Sequence, residues 1–266
     1  MTIGNIPQEI SEDRIPDLNR TIQQNEGIVR PIKRLKDPEL GPDIILAMIQ
    51  ADRDYVLSLN REGAVTRHPM GSFELYQIKT DHGQKTAIAG PFIGSPHAVM
   101  GMEKAVALGA KRIWAFGWCG SIEPSLKIGD LLVPSCAFSE EGTSGHYPVG
   151  DRQPASAEAL NRILGAALKK EGLDFREGPV WTTDAPYRET PEKVRAFVKR
   201  GALAVEMEMS ALMTLATYRG VGMAGLLVVS DELSDLKWRP GFSSPERKKA
   251  SREAGKLLLS ICSNAF

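Results

Sequence analysis

The chain has 266 residues, 42% of them hydrophobic, and its 33 Lys and Arg balance 33 Asp and Glu for a formal net charge of +0. That length and apolar content suffice for one sizeable core. The charge balance leaves no general field for nucleic acid or an anionic membrane, so the expected partner is a small molecule. Cys119, Cys136 and Cys262 are the three cysteines and form no CxxC pair. They argue against a disulfide framework or a zinc ribbon and fit a reducing cytoplasm. No apolar leader precedes the charged, Pro-containing start, and no apolar run is long enough to span a bilayer, so a soluble, cytoplasmic protein is expected.

Residues 1–42 mix charge with Pro7, Pro16, Pro31, Pro38 and Pro42 and sustain no period; they read as an extension that packs on a partner subunit. Residues 43–266 read as a single domain. The apolar run 44–49 predicts a buried strand, and Ala51-Asp52-Arg53-Asp54 opens a helix toward Leu59. Segments 73–79 and 85–89 alternate about an Asp81-His82-Gly83 turn and predict a β-hairpin. Gly94-Ser95-Pro96-His97 starts a helix to about Leu108, with Ser95 as N-cap and Pro96 at the first helical position. Residues 113–116 predict a central strand broken by Gly117-Trp118-Cys119-Gly120-Ser121, where glycines permit turns and close backbone approach. Residues 130–133 form a short strand, 141–147 a polar loop, and 155–170 an amphipathic helix with Leu160, Ile163, Leu164, Ala167 and Leu168 on one face. A strand and loop at 178–184 and a helix opened by Pro191 follow.

Next comes Ala204-Val205-Glu206-Met207-Glu208, an apolar strand ending in two acids and passing into a helix at 210–219. Carboxylates here either rim a pocket at a strand end or favour the positive end of a helix dipole. Strand 222–229 ends in Ser230-Asp231, a loop spans 240–245, and a helix closes the chain at 245–261. Strands alternating with helices predict a three-layer α/β/α fold with a central mixed β-sheet. His68, His82, His97 and His146 are scattered without metal-ligand spacing, so no metal is expected. No GxGxxG or GxxxxGK[ST] phosphate loop is present, so no nucleotide cofactor is expected either. Cys119 beside glycines suits a buried thiol better than a nucleophile.

Gly117-Trp118-Cys119-Gly120-Ser121-Ile122, then Pro124 and Ile128-Gly129-Asp130-Leu131-Leu132-Val133, resembles the central signature of the nucleoside phosphorylase family, in the branch of uridine phosphorylase and bacterial purine nucleoside phosphorylase. Val205-Glu206-Met207-Glu208 followed by Ala211-Leu212 resembles that family's ribose-binding motif. The resemblance runs from about Asp43 to the carboxyl end and implies cleavage of a nucleoside's N-glycosidic bond, with inorganic phosphate as co-substrate and no cofactor. It implies Met207 beneath the ribose, Glu208 on its hydroxyls with Glu206 beside it, and Cys119-Gly120 against the substrate. Ser230-Asp231 resembles the purine-handling form of its strand end, making Asp231 and Glu208 the catalytic candidates. His146 is implied near the sugar, and Thr183 and Tyr187 at the base. Residues 236–242, which follow Asp231, read either as a lid, with Arg239 stabilising the base or Asp231 and Trp238 shutting out water, or as an ordinary loop with one buried aromatic. A homo-oligomer, dimer or hexamer, is implied.

Departures fall on the phosphate side. Phosphorolytic relatives carry Arg and Ser or Thr where this chain has Ala115 and Trp118, and a Gly-Asp-Pro loop about where Ala51-Asp52-Arg53 stands. A phosphate dianion needs several fixed donors. Trp118 can instead fill the anion pocket. Three readings follow: a phosphorylase with a site rebuilt from Arg53, Arg67 or a neighbouring subunit's Arg; a nucleosidase resembling methylthioadenosine nucleosidase, with Asp52 or Asp54 activating water; or a nucleoside-binding protein without turnover.

Overall fold

The computed structural model describes residues 27–60, 64–79 and 85–263. The chain separates into two compact units, 1–30 and 31–266, and every described helix and strand belongs to the second. The Asp81-His82-Gly83 turn and most of the expected amino-terminal extension lie outside the described residues.

Ten strands form one mixed sheet: β1 (Asp43–Ala47), β2 (Val65–Pro69), β3 (Glu74–Lys79), β4 (Lys85–Gly90), β5 (Arg112–Ser121), β6 (Leu131–Glu140), β7 (Phe175–Thr183), β8 (Ala204–Glu206), β9 (Gly222–Glu232) and β10 (Arg239–Pro240). The order is β10-β9-β6-β7-β8-β5-β1-β4-β3-β2, and β9 also pairs with β5. The strands β5, β8, β7, β6 and β9 therefore close on themselves, while β1 to β4 continue as an open wing. Strand β1 runs parallel to β4 and β5, and β9 runs parallel to β5. The carboxyl ends of β5, β8 and β9 meet through the register Gly120 to Val205 and Gly120 to Asp231.

Among the described residues six α-helices cover this sheet: α1 (Gln50–Ser58), α2 (Gly94–Ala107), α3 (Glu158–Lys170), α4 (Pro191–Lys199), α5 (Met209–Arg219) and α6 (Pro245–Ser263). Alternation along β1 explains the layers. Ile44 and Leu46 join the core packed by Met102 of α2 and Leu212 of α5, whereas Ile45 and Ala47 join the one packed by Leu164 of α3 and Leu258 of α6. Successive strand side chains point to opposite faces, so a run apolar at every position is a strand buried on both. A third, smaller core joins Trp181, Val194, Phe197 and Val205, with the rings of Trp181 and Phe197 stacked at 4.4 Å.

Several expectations are revised in detail. Strand β5 is continuous through Gly117 and Gly120, although its pairing with β9 shifts register between Cys119 and Gly120. Gly120 serves packing rather than a turn: a Cβ there would lie 2.6 Å from Leu233 Cδ1 and 3.0 Å from Asp231 Oδ2. Helix α2 begins at Gly94 with Ile93 as an uncapped N-cap residue. Ser95 instead donates its hydroxyl to the Met207 carbonyl at 2.8 Å, tying the helix start to the end of β8. Strand β2 was not expected, because an exposed, polar edge strand carries no apolar alternation. Ser230 and Asp231 lie within β9, whose last residues are held by the two-residue β10.

Candidate active site

Strand β8 is three residues long and stops because the next backbone groups turn to start α5. Glu206 drives that turn. Its Oε2 accepts the amides of Glu208 and Met209, both at 2.7 Å, supplying partners to groups that a helix start leaves unsatisfied. The Thr182 hydroxyl donates to Glu206 Oε1, and Thr182 Oγ1 accepts the Ser210 amide at 3.0 Å. Ser210 in turn donates to Glu141 Oε1 at 2.9 Å. Burial works against charge on Glu141, but hydrogen bonds from Ser144, Ser139 and Ser210 hold its carboxyl below the ordinary range.

Both alternatives for the acids at this strand end are thus realised, one by each residue. Glu206 caps the helix, and Glu208 lies beside it with Oε1 accepting the Gly94 amide at 2.6 Å from the start of α2. Both are buried and both line a cavity of about 600 Å³, a volume suited to a small ligand. Burial, and for Glu208 the adjacent Glu206, push both carboxyls above the usual carboxylate range. Glu206 receives donors from Thr182 and two amides, which favour its charged form, so a proton shared by the pair resides on Glu208.

The cavity wall is apolar on one side, with Met48, Phe92, Val205 and Met207. Ser230 and Asp231 also line it, with Cys119 and Gly120. Asp231 Oδ1 accepts the Ser230 hydroxyl at 2.6 Å and Oδ2 accepts the Trp238 indole N–H at 2.9 Å. Burial pushes the Cys119 thiol up, with Asp231 and Glu206 adding to the effect, so its thiolate is disfavoured. Ile93, Tyr187 and Trp238 stand at the mouth, 75%, 100% and 61% exposed.

Trp118 also lines the cavity, held from behind. Its indole donates to Asp52 Oδ2 at 2.7 Å, its ring stacks on Phe242 at 5.9 Å, and the Arg247 guanidinium lies 4.3 Å over it. Asp52 is buried, and burial raises its carboxyl despite the hydrogen bond from Trp118 and the charge of Arg247. No Arg, Lys or His is among the described residues that line the cavity, whereas Glu189, Glu206, Glu208 and Asp231 all do.

The structure therefore gathers Glu206, Met207, Glu208, Cys119, Gly120, Tyr187, Ser230, Asp231 and Trp118 around one space. It does not bring Arg53, Arg67, His146, Thr183 or Arg239 to that lining. Arg53 is buried and committed to Asp54 and to the Gly90 carbonyl at 2.7 Å. Arg67 is paired with Glu74 on the wing. His146 is exposed at the end of the single turn Ser144–His146. Thr183 is buried, with its hydroxyl oxygen accepting the Ala185 amide at 3.3 Å. Arg239 pairs with Asp235 outside the cavity. Asp52 stands behind Trp118, and Asp54 faces Arg53, so neither acid lines the cavity. Glu189, Phe92 and Phe242, which do line it, belong to none of the motifs; each depends on loop closure that no local spacing signals. Among the described residues no cluster of three or more His, Cys, Asp or Glu could share a metal ion, and no helix is long and apolar enough to cross a membrane.

A closed strand array with acids at the ends of β8 and β9 defines an α/β protein with a ligand pocket at its strand ends. The sequence profile of the phosphorylase superfamily matches residues 44–264, and the chain belongs to that superfamily. It is 31% identical over 182 residues to a DeoD-type purine nucleoside phosphorylase of Caldanaerobacter subterraneus subsp. tengcongensis, covering 67% of this chain and 77% of the relative. It is 31% identical over 156 residues to a DeoD-type enzyme of Bacillus cereus, covering 58% of this chain and 66% of the relative, just under two thirds of that protein's length. In fold it is similar to the purine nucleoside phosphorylase of Toxoplasma gondii, with a TM-score of 0.76 at 23% identity over 90% of this chain and 97% of that one. It is also similar to the uridine phosphorylase of Vibrio fischeri ES114, with a TM-score of 0.74 at 20% identity over 84% and 92% of the two chains.

Proposed function

We propose that this enzyme cleaves the N-glycosidic bond of a nucleoside and transfers the pentosyl group to inorganic phosphate, with a purine as the leaving base. The observation that carries the reading is Glu208, a buried carboxyl lining a cavity of about 600 Å³ that Asp231 also lines. Glu208, beside Glu206 and above Met207, binds the pentose hydroxyls. As the bond breaks, positive charge develops on the sugar, and the fixed Glu206–Glu208 pair, which shares one proton and keeps one negative charge, becomes more favourable to it than to the ground state. Asp231, with Ser230, hydrogen-bonds the base, while Trp238 shields the site from water.

Phosphate needs cationic donors, which the described lining residues lack, so this reading draws an Arg from a second copy of the chain. The exposed apolar side chains Ile93 and Trp238 at the cavity mouth support a homo-oligomer, dimer or hexamer, that buries the mouth. Cytoplasmic residence fits three free thiols. A second reading, hydrolysis with water in place of phosphate, is favoured by one observation: the acceptor side of the cavity is filled by Trp118 held against Asp52.

The test is release of free base from purine and pyrimidine nucleosides with and without phosphate. Phosphate-dependent release with a sugar 1-phosphate product supports the first reading, and release without phosphate supports the second. Tight nucleoside binding with no product in either condition would leave a binding protein and remove both.

A further inference from the structure

Glu189 is the one cavity carboxyl to which neither the motifs nor the proposed reaction gives a part. It follows the turn Pro186–Arg188 and precedes Thr190, whose hydroxyl oxygen caps α4. The Glu189 amide is held by the Pro186 carbonyl at 3.3 Å, so the side chain leaves from a braced turn toward the same space as Asp231. The two carboxyls differ in their partners. Asp231 has both oxygens engaged as acceptors, by the Ser230 hydroxyl and the Trp238 indole. The Glu189 carboxyl accepts no hydrogen bond from the described residues.

The charged groups that face Glu189 are Asp231 from β9, Glu140 from β6 and Lys193 from α4. Lys193 is itself paired with Glu140, which leaves Glu189 without a dedicated cation. Burial first, then the charges of Asp231 and Glu140, push its carboxyl up to about 7. A carboxyl in that state is protonated in about half of the molecules in neutral solution and can donate that proton. Asp231, engaged on both oxygens, is built to accept.

We propose that Glu189 is the general acid for the leaving base, with Asp231 as the fixed acceptor beside it. This rests on the nucleoside-cleaving reading above. In the step, the bond between the sugar C1′ and the purine N9 breaks and its electron pair stays with the base. The Glu189 proton passes to a ring nitrogen of that base, which departs neutral, and Glu189 becomes a carboxylate. An oxygen of the acceptor forms the new bond to C1′: phosphate adds as its anion, and water releases one proton to solvent as it adds. Glu189 then regains its proton from solvent at the open mouth.

The test compares a purine nucleoside with its N7-methylated counterpart, whose base already carries a positive charge and leaves neutral without a proton. For the full chain, kcat/KM is measured for wild type, Glu189→Gln, Glu189→Asp and Asp231→Asn across the neutral pH range, with circular dichroism and Tm to verify folding. Glu189→Gln is expected to lose about 10²-fold on the ordinary nucleoside and only a few-fold on the methylated one. It also loses the alkaline fall in rate that deprotonation of Glu189 causes in wild type, and Glu189→Asp restores part of both. Equal losses on the two substrates would assign Glu189 a structural part and overturn the proposal, as would a leaving-group-selective loss in Asp231→Asn but not in Glu189→Gln. If wild type cleaves neither substrate, the nucleoside-cleaving reading fails and this inference falls with it. If wild type cleaves and Glu189→Gln matches it on both, this inference alone fails.

Discussion

The ends of β8 and β5 face one cavity and are built on opposite principles. At β8, each polar group is a donor or acceptor with a partner: Glu206 takes two amides and a hydroxyl, and Glu208 takes the Gly94 amide. At β5, bulk replaces polarity, with the Trp118 ring against Phe242 and the Arg247 guanidinium and its indole tied to Asp52. The β8 end carries the residues that resemble the family's ribose-binding motif, and the β5 end carries Ala115 and Trp118 where that resemblance implies phosphate ligands. The sugar side of such a site can therefore stay intact while the acceptor side is rebuilt, because the two are positioned by different strands and different cores.

The largest expected effect breaks the β8 side. Glu208→Ala should lower kcat/KM by about 10²–10³-fold for every nucleoside tested, the scale for losing one preorganised electrostatic group. Asp231→Ala should cost about 10²-fold on purine nucleosides and little on pyrimidine ones; equal losses would separate Asp231 from base recognition. On the β5 side, Trp118→Ser removes a large side chain and the indole donor of a buried carboxylate, and should destabilise by about 3 kcal/mol. Asp52 sits above its ordinary range in the fold because of burial, so its contribution to stability is present at acid pH and lost as pH rises through its raised pKa. Without the indole that loss deepens, and the Tm deficit of Trp118→Ser should widen as pH increases. A pH-independent deficit would mean Trp118 acts through packing alone.

A subtler sign test concerns Glu208. Its folded-state carboxyl is raised by burial and by Glu206, so its contribution to stability is full below the ordinary carboxylate range and disappears as pH rises through the raised value. Glu208→Gln removes that loss. It should raise Tm in mildly alkaline buffer, by an amount equivalent to about 1 kcal/mol, while abolishing turnover. The smallest effect is Arg239→Ala, which breaks only the pair with Asp235 on the surface and should change kcat/KM by less than about twofold.

The architecture was legible where burial is two-sided. Ile44, Ile45 and Leu46 read as a strand because both faces of β1 are covered, and the 155–170 region read as amphipathic because α3 packs one face only. The strand-end acids were legible because Glu206, Glu208 and Asp231 follow apolar runs. What escaped depends on contacts between distant positions. The Trp118 bond to Asp52 spans 66 positions and the Gly94 bond to Glu208 spans 114, and no local period encodes either. Glu189 escaped for a related reason: before Thr190 and Pro191 it reads as an ordinary acid ahead of a helix, and only the closed strand array sets it beside Asp231. Arg53 and Arg67 read as anion donors because their charges are visible in sequence, whereas their partners, Asp54, Glu74 and the Gly90 carbonyl, are fixed by the fold.

If Glu208 makes this cavity a pentosyl-transfer site, base release depends on it. Purine nucleosides are incubated with wild type and Glu208→Ala, each with and without inorganic phosphate, and free base is quantified. The account predicts base release by wild type, with a sugar 1-phosphate when phosphate is required, and release reduced by at least about 10²-fold in Glu208→Ala whichever acceptor operates. Equal release by the two proteins would contradict it.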